Sequence, residues 1–164
     1  MPALRAHRPA PEIRVRPAQP GDLDGLLALE GRAFTTDRMS RRSLRGFLNS
    51  PRALMIVADL DRELIGHALV LFRSNSAVAR LYSLAVAPEH CRLGIGQVLI
   101  GAAEKVALKC QRTCLRLEVH QKNLAAIALY HKAGYRMFGR YLRYYEDRGN
   151  ALRFEKRLAS ARAG

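Results

Sequence analysis

The sequence predicts a single α/β (α+β) domain built on one sheet. Strand-like and helical segments alternate from residue 12 to residue 158, giving about seven strands and about four helices. Three of those strands follow one another between Leu54 and Val86 with no helix between them, as an antiparallel meander does. The last of the three then runs through a turn with two glycines into a long helical segment. At 164 residues and 49% hydrophobic content the chain suits one domain with a real core, not two.

Residues 1–11 read as a flexible N-terminal arm, because their prolines and charges outnumber anything a core could bury. They contain no hydrophobic stretch of the kind that targets a chain to a membrane, and no segment of the sequence is apolar over a bilayer's width, so a cytoplasmic location without membrane contact is expected. Ile13-Arg14-Val15-Arg16 alternates as a strand with one buried face. Pro17 to Gly21 turns the chain towards Asp22, expected to cap a helix whose apolar face is Leu23, Leu26, Leu27 and Phe34. Glu30 falls on that stripe, and a solvated position at the helix edge is expected for it rather than a place in a cleft. Phe34 to Met39 has no clean period and reads as a loop. Ser40 then caps a short helix carrying Leu44, Phe47 and Leu48, and this helix-loop-helix segment is a candidate substrate rim.

The strands of the meander are Leu54–Ala58, Leu64–Phe72 and Val78–Val86. A helix from Gly96 to about Lys109 follows, with Val98, Leu99, Ala102, Ala103, Val106 and Cys110 at helical spacing. Cys114–Val119 is the next strand, and a helix capped by Asn123 and ended by Gly134 comes after it. Two last strands, Tyr135–Tyr145 and Ala151–Leu158, flank Glu146-Asp147-Arg148-Gly149-Asn150 as a hairpin turn, and residues 159–164 read as a flexible tail.

Composition excludes some chemistry and leaves other classes open. Cys91, Cys110 and Cys114 are an odd set with no partner His or Cys spaced to complete a tetrahedral site, so reduced thiols and no metal are expected. The formal charge of +14 suits an anionic cofactor, an acidic substrate or a nucleic-acid neighbourhood. The basic residues are scattered along every element without interleaved aromatics, which favours a solvated arginine-rich surface over dedicated nucleic-acid binding.

Arg92-Leu93-Gly94-Ile95-Gly96-Gln97 joins a strand to a helix start. Unpaired N–H groups there carry partial positive charge suited to phosphate oxygens, and glycines let a ligand approach the main chain. The pair of glycines alone fits equally a tight turn that binds nothing. Gln97 and Val98 stand where a P-loop has its lysine and hydroxyl residue, and Leu99 stands three residues after Gly96 where a dinucleotide-binding turn has glycine. Both of those readings fail.

On Leu115–Val119 alternation places Leu115, Leu117 and Val119 on one face and Arg116, Glu118 and His120 on the other. A partly desolvated Glu118 could take a proton, directly or through water; the ordinary alternative is a cross-strand partner for an arginine. Tyr130 lies among Leu124, Ile127 and Ala128, with its ring expected in the core and its hydroxyl at the rim, where a phenol can donate a proton to a leaving thiolate. His120 and His131 form no triad with a serine or cysteine, so covalent catalysis is not expected.

Taken in order, Leu84-Ala85-Val86-Ala87-Pro88, Arg92-Leu93-Gly94-Ile95-Gly96, Leu117-Glu118-Val119 and Asn123 through Tyr135 resemble the GNAT superfamily of N-acetyltransferases, most closely its RimI-like branch, which acetylates the N-terminal alanine of a ribosomal protein. The resemblance covers about residues 12–158. It implies a mixed, mostly antiparallel sheet splayed between strands 4 and 5, with acetyl-CoA as co-substrate in the opening. Main-chain groups of Leu84, Ala85 and Val86 would hold the pantetheine and acetyl carbonyl, N–H groups from Arg92 to Gln97 the pyrophosphate, and Asn123 and Ala126 the cofactor's other side. By the same likeness, Glu118 would accept a proton from the amine and Tyr130 would protonate the CoA thiolate. The family has Gln or Arg where this chain has Cys91, which implies weaker CoA affinity at most.

The implied reaction is direct attack of a primary amine on acetyl-CoA, with a peptide or protein N-terminus, including a ribosomal one, as acceptor and a monomer or homodimer as the working form. Asp37, Glu146 and Asp147 lie amid arginines in the segments expected at the mouth, a mixed charge that favours a peptide over a small cationic amine. The alternatives are a small-molecule amine acetyltransferase and a non-catalytic basic module that binds RNA or the ribosome.

Overall fold

Seven strands and four α-helices form because local chemistry and tertiary burial agree along residues 12–159, the part of the chain that the computed structural model describes. In chain order they are β1 (Ile13–Pro17), α1 (Leu23–Ala33), α2 (Arg41–Asn49), β2 (Ala53–Leu60), β3 (Glu63–Phe72), β4 (Val78–Val86), α3 (Ile95–Lys109), β5 (Cys114–His120), α4 (Leu124–Lys132), β6 (Arg136–Tyr141) and β7 (Ala151–Arg157). The strands make one seven-stranded sheet in the order β1-β2-β3-β4-β5-β7-β6. The flexible arm expected for residues 1–11 lies outside the described residues, as do residues 160–164 of the expected tail. Among the described residues no helix is long and apolar enough to cross a membrane.

Short turns make β2, β3 and β4 antiparallel, and β1 pairs antiparallel with β2 although α1 and α2 lie between them. Asp61 and Arg62 both take positive φ, 49° and 68°, which lets a two-residue turn join Leu60 directly to its partner Glu63. The one parallel pair is β4–β5, because α3 carries the chain back across the sheet before β5 begins. β5, β7 and β6 complete the sheet with antiparallel ladders.

The sheet separates two cores. Ile56, Ala58, Ala68 and Val70 share one cluster with Leu99, Ile100 and Ala103 of α3, while Met55, Val57 and Leu69 share the other with Leu26 of α1 and Leu44 of α2. Close approach of α3 depends on Gly66 in β3: a Cβ there would lie 2.9 Å from Leu99 Cδ1 and 3.1 Å from the Ala85 carbonyl oxygen. In the second half of the sheet, Leu117 and Phe154 face α4, whose Tyr130 ring lies 6.4 Å from that of Phe154. The opposite face of β5 and β7 carries Arg116, Glu118, Arg153 and Glu155.

Three expectations need correction. Asp22 does not cap α1 with its side chain; its carboxylate accepts the Gln19 N–H at 2.7 Å and two Arg16 hydrogen bonds at 2.8 Å. The buried face of α1 is Leu26, Leu29 and Glu30, and Phe34 lies one residue past the helix end. β6 is also shorter than Tyr135–Tyr145, and a longer loop, residues 142–150, replaces the hairpin turn at 146–150. Arg143 and Arg148 adopt φ of 51° and 63° there, while Asn150 Oδ1 accepts the Arg143 N–H and the Gly149 carbonyl accepts the Tyr144 N–H. These local bonds satisfy main chain that a hairpin would have paired across strands.

Candidate active site

β4 and β5 run together only from Val78/Cys114 to Leu81/Leu117 and then part. At the parting β4 bulges at Tyr82: Leu69 pairs with Ser83 while Val70 pairs with Leu81. A bulge bends its strand and strengthens the local twist, which carries Leu84–Val86 away from β5 while their other edge stays paired to β3. The result is an open cavity of about 860 Å³. Leu84, Ala85, Val86, Gly94, Gly96 and Gln97 line one side of it, and Glu118, Asn123, Ala126 and Tyr130 the other.

The first turn of α3 opens on this cavity. Gly94 precedes the helix at φ 74°, a left-handed conformation that glycine adopts without strain, and no side chain caps the helix. The Val98 N–H makes the first helical bond, to the Gly94 carbonyl at 3.2 Å, which leaves the N–H groups of Ile95, Gly96 and Gln97 without helical partners. Arg92 and Leu93 are exposed outside the cavity, and the Leu93 N–H is bonded to the His90 carbonyl. Within Arg92–Gln97 the Leu93 N–H is thus already engaged. The Ile95 side chain is buried in the core, so only its main chain is free to serve. Gly96 has another reason to be glycine than ligand approach: a Cβ there would lie 2.9 Å from Leu129 Cδ2, so its absence lets α4 pack on α3. Cys91 lines the cavity, its Sγ 3.6 Å from the Ala87 carbonyl.

Alternation on β5 is as the sequence predicts, with Leu115, Leu117 and Val119 buried and Arg116, Glu118 and His120 on the other face. Glu118 is no solitary carboxylate. Its Oε2 accepts a hydrogen bond from Arg80 Nε at 3.0 Å, Arg153 Nε stands 3.9 Å from Oε1, and Arg80 also donates to the Tyr144 hydroxyl at 2.7 Å. The arginine-partner reading and the cavity reading of Glu118 hold together. Burial opposes the Arg80 cation, but Glu118 and Tyr144 outweigh it and raise its pKa.

Tyr130 is buried, its ring edge-on to Tyr135 at 5.9 Å, and its hydroxyl makes no hydrogen bond within the described residues. Burial pushes its pKa well above the ordinary phenol range, so it keeps its proton at neutral pH. Asn123 does cap α4, its Oδ1 accepting the Ala126 N–H at 3.2 Å. Neither histidine is poised as a base. His120 donates to Asp147 at 2.8 Å through Nε2, accepts the Lys122 N–H at Nδ1 and stacks on Tyr145, fastening loop 142–150 to the end of β5; His131 lies edge-on to Phe154.

Sequence reasoning missed a buried pair beside the cavity and misplaced Glu30. That residue is 1% exposed, not solvated; Oε1 lies 2.7 Å from His67 Nε2, and Oε2 accepts the Met39 N–H at 2.9 Å. The pair ties α1 to β3 and anchors the end of the loop whose Phe34, Thr36 and Asp37 line the cavity. A histidine inside the apolar run Leu64–Phe72 was the available signal, since a buried imidazole needs a polar partner. Arg80, Tyr144 and Tyr145, also cavity residues, were missed as well.

Comparison with known proteins adds the following. Residues 23–135 match the family model described as the acetyltransferase (GNAT) family. An uncharacterized N-acetyltransferase of Methanocaldococcus jannaschii is 30% identical over 142 residues, 86% of this chain and 89% of that protein. A Bacillus subtilis protein, provisionally named ribosomal protein bS18-alanine N-acetyltransferase, is 27% identical over 128 residues, 78% of this chain and 83% of its own. The crystal structure of the Escherichia coli ribosomal-protein-S18-alanine N-acetyltransferase superposes with a TM-score of 0.82 at 24% identity, covering 93% of this chain and 98% of that one. The chain spans 40% of the length of two Clavibacter mycothiol acetyltransferases that it also matches. Solved structures of the same fold hold coenzyme A or acetyl-CoA.

Proposed function

The chain belongs to the GNAT acetyltransferase family, and we propose that it transfers the acetyl group of acetyl-CoA to the N-terminal α-amine of a peptide or protein. The observation that carries this reading is the parting of β4 from β5 beneath the uncapped start of α3, with Glu118 and Tyr130 on its far wall. The cavity's volume suits a cofactor-sized ligand. The free N–H groups of Ile95, Gly96 and Gln97 fit a diphosphate, and the unpaired edge of Leu84–Val86 fits an extended amide-bearing arm.

Acetyl-CoA supplies an activated acyl carbon and a thiolate leaving group; this chain's residues supply position and proton transfer. An α-amine has a pKa of about 8 and is mostly protonated at neutral pH, so a base must take its proton before it can attack. Glu118 is that acceptor, directly or through water, oriented by Arg80 and Arg153. Main-chain donors of β4 stabilise negative charge on the acyl oxygen. Tyr130 holds its proton more tightly than a thiol does, so it serves the departing sulfur as a hydrogen-bond donor and not as a strong acid. Holding both reactants in register lowers the barrier by several kcal/mol.

The names of the Bacillus and Escherichia relatives support a peptide acceptor, and the open sheet face beside Glu118 gives a peptide room to lie. Our reading includes a cytoplasmic enzyme, working as a monomer or homodimer, with ribosomal-protein N-termini among its acceptors. Purified protein mixed with acetyl-CoA and panels of peptides and small amines, followed by free-thiol release, tests it. Turnover on peptide α-amines is expected. Turnover confined to small amines would overturn the acceptor, and none on any amine would overturn the activity.

A further inference from the structure

Arginines and aromatics that are scattered along the sequence become neighbours on the sheet face that carries Glu118. From Arg80 on β4 the guanidinium reaches the Tyr144 hydroxyl at 2.7 Å; the Tyr144 ring stacks on Tyr141 at 5.6 Å; Arg153 lies 4.3 Å over Tyr141 and 4.6 Å over Phe138; and Arg116 lies 4.9 Å over the same Phe138. This is a continuous ribbon of planar cations and rings across β4, β5, β6, β7 and loop 142–150. Phe138, Tyr141 and Tyr144 are 36%, 40% and 44% exposed, so each offers surface to a partner.

Charge on this face is layered. The carboxylates Glu118 and Glu155 are 9% and 15% exposed, whereas the guanidiniums that pair with them, Arg80, Arg116 and Arg136, are 39%, 41% and 76% exposed. On the sheet itself these two carboxylates lie under the cations, while Arg153 is 25% exposed and Asp147, on the flanking loop, is 48% exposed. A partner approaching the face meets positive charge, and the whole chain carries +14. A second copy of the chain would bring the same excess and be repelled. An acidic peptide would satisfy the cations, but its small amide and carboxylate planes offer the rings far less stacking surface than a nucleobase does.

We infer that this face binds single-stranded nucleic acid, its bases stacking on Tyr141, Tyr144 and the exposed guanidinium planes and its phosphates paired by Arg116, Arg136 and Arg153. The inference goes beyond the acetyl-transfer reading but shares ground with it: Arg80 and Tyr144 also line the cavity, and the acceptor peptide is placed on this same face, so a bound strand would compete with that peptide. Stacking of bases on aromatic and guanidinium planes is tolerant of sequence, so no single motif is required.

Fluorescence anisotropy of the full chain with labelled twelve-nucleotide oligouridine and oligothymidine tests it, with a twelve-base-pair duplex and a poly-glutamate peptide as competitors. Three guanidiniums meeting phosphates give a log–log salt slope near −2, so affinity falls about fifteenfold between 50 and 200 mM salt. Tyr141→Ala is expected to weaken binding at least fivefold with the slope unchanged. Arg136→Ala, at a position 76% exposed and outside the core, should make the slope shallower by about 0.7. A preference for the RNA strand would assign the 2′-hydroxyl a part, and equal binding of both strands would assign recognition to base and phosphate alone. The proposal is overturned by absent binding at 50 mM salt, by poly-glutamate or duplex competing as well as the single strand, or by Tyr141→Ala binding as tightly as the parent.

Discussion

Glu30→Gln is the substitution that most sharply probes the buried pair under the cavity's rim. The carboxylate gives one oxygen to His67 Nε2 and the other to the Met39 N–H. Glutamine has a single acceptor. If its oxygen keeps Met39, its NH₂ faces Nε2, and His67 must move its proton to Nδ1, a buried atom with no partner. One buried donor left unsatisfied costs about 1–3 kcal/mol. Glu30→Leu strands both donors and costs about 3–5 kcal/mol, part of which returns when His67 is replaced by Phe in the same chain. Urea denaturation followed by circular dichroism measures each value. Met39 closes the loop that carries Phe34, Thr36 and Asp37 to the cavity, so Glu30→Gln should also raise the acceptor KM severalfold while kcat changes little. A Glu30→Gln protein within about 0.5 kcal/mol of the parent, with its KM unmoved, would refute this account of the pair.

Four further outcomes are expected. Glu118→Gln should lower kcat/KM by about 10²- to 10⁴-fold at pH 6.5, with the deficit narrowing above pH 8 as the amine loses its proton unaided; a deficit constant with pH would remove Glu118 as the base. Tyr130→Phe should slow kcat about 10- to 100-fold while calorimetry finds CoA affinity unchanged, because the hydroxyl makes no bond within the described residues that the substitution would break. Gly66→Ala should cost about 1–3 kcal/mol by pressing on Leu99 and the Ala85 carbonyl, whereas Gly101→Ala, in the same α3 with open space around it, should stabilise by about 0.5–1 kcal/mol; equal urea midpoints would contradict that packing. Asp22 is held below its ordinary 3.8 chiefly by Arg16 hydrogen bonds, opposed by burial and helped by the Gln19 N–H, so its contribution is present above that pH and lost as pH falls through the lowered value. Asp22→Asn should therefore flatten the fall in urea midpoint between about pH 4 and pH 2.

Much of the fold was legible because it is written in local patterns. The Ser40 and Asn123 caps, the alternation on Leu115–Val119 and the helical spacing after Gly96 each involve residues within a turn or strand of one another. What escaped depends on distant partners. Glu30 reads as a solvated edge until His67 arrives from β3, and Gly96 reads as a ligand-facing glycine until Leu129 packs over it. The arginine–aromatic ribbon is invisible along the chain because residues 80, 116, 138, 141, 144 and 153 become neighbours only through the strand order β4-β5-β7-β6. Loop 142–150 replaced a predicted hairpin turn for a different, local reason: its main chain is satisfied by Gly149 and Asn150 and not by a facing strand.

A crystal structure of the full chain grown with coenzyme A tests the central claim most directly. The account predicts the diphosphate against the N–H groups of Ile95, Gly96 and Gln97, the pantetheine arm along Leu84–Val86 and the sulfur near Tyr130. Coenzyme A bound anywhere else, or no binding by calorimetry at millimolar ligand, would contradict it.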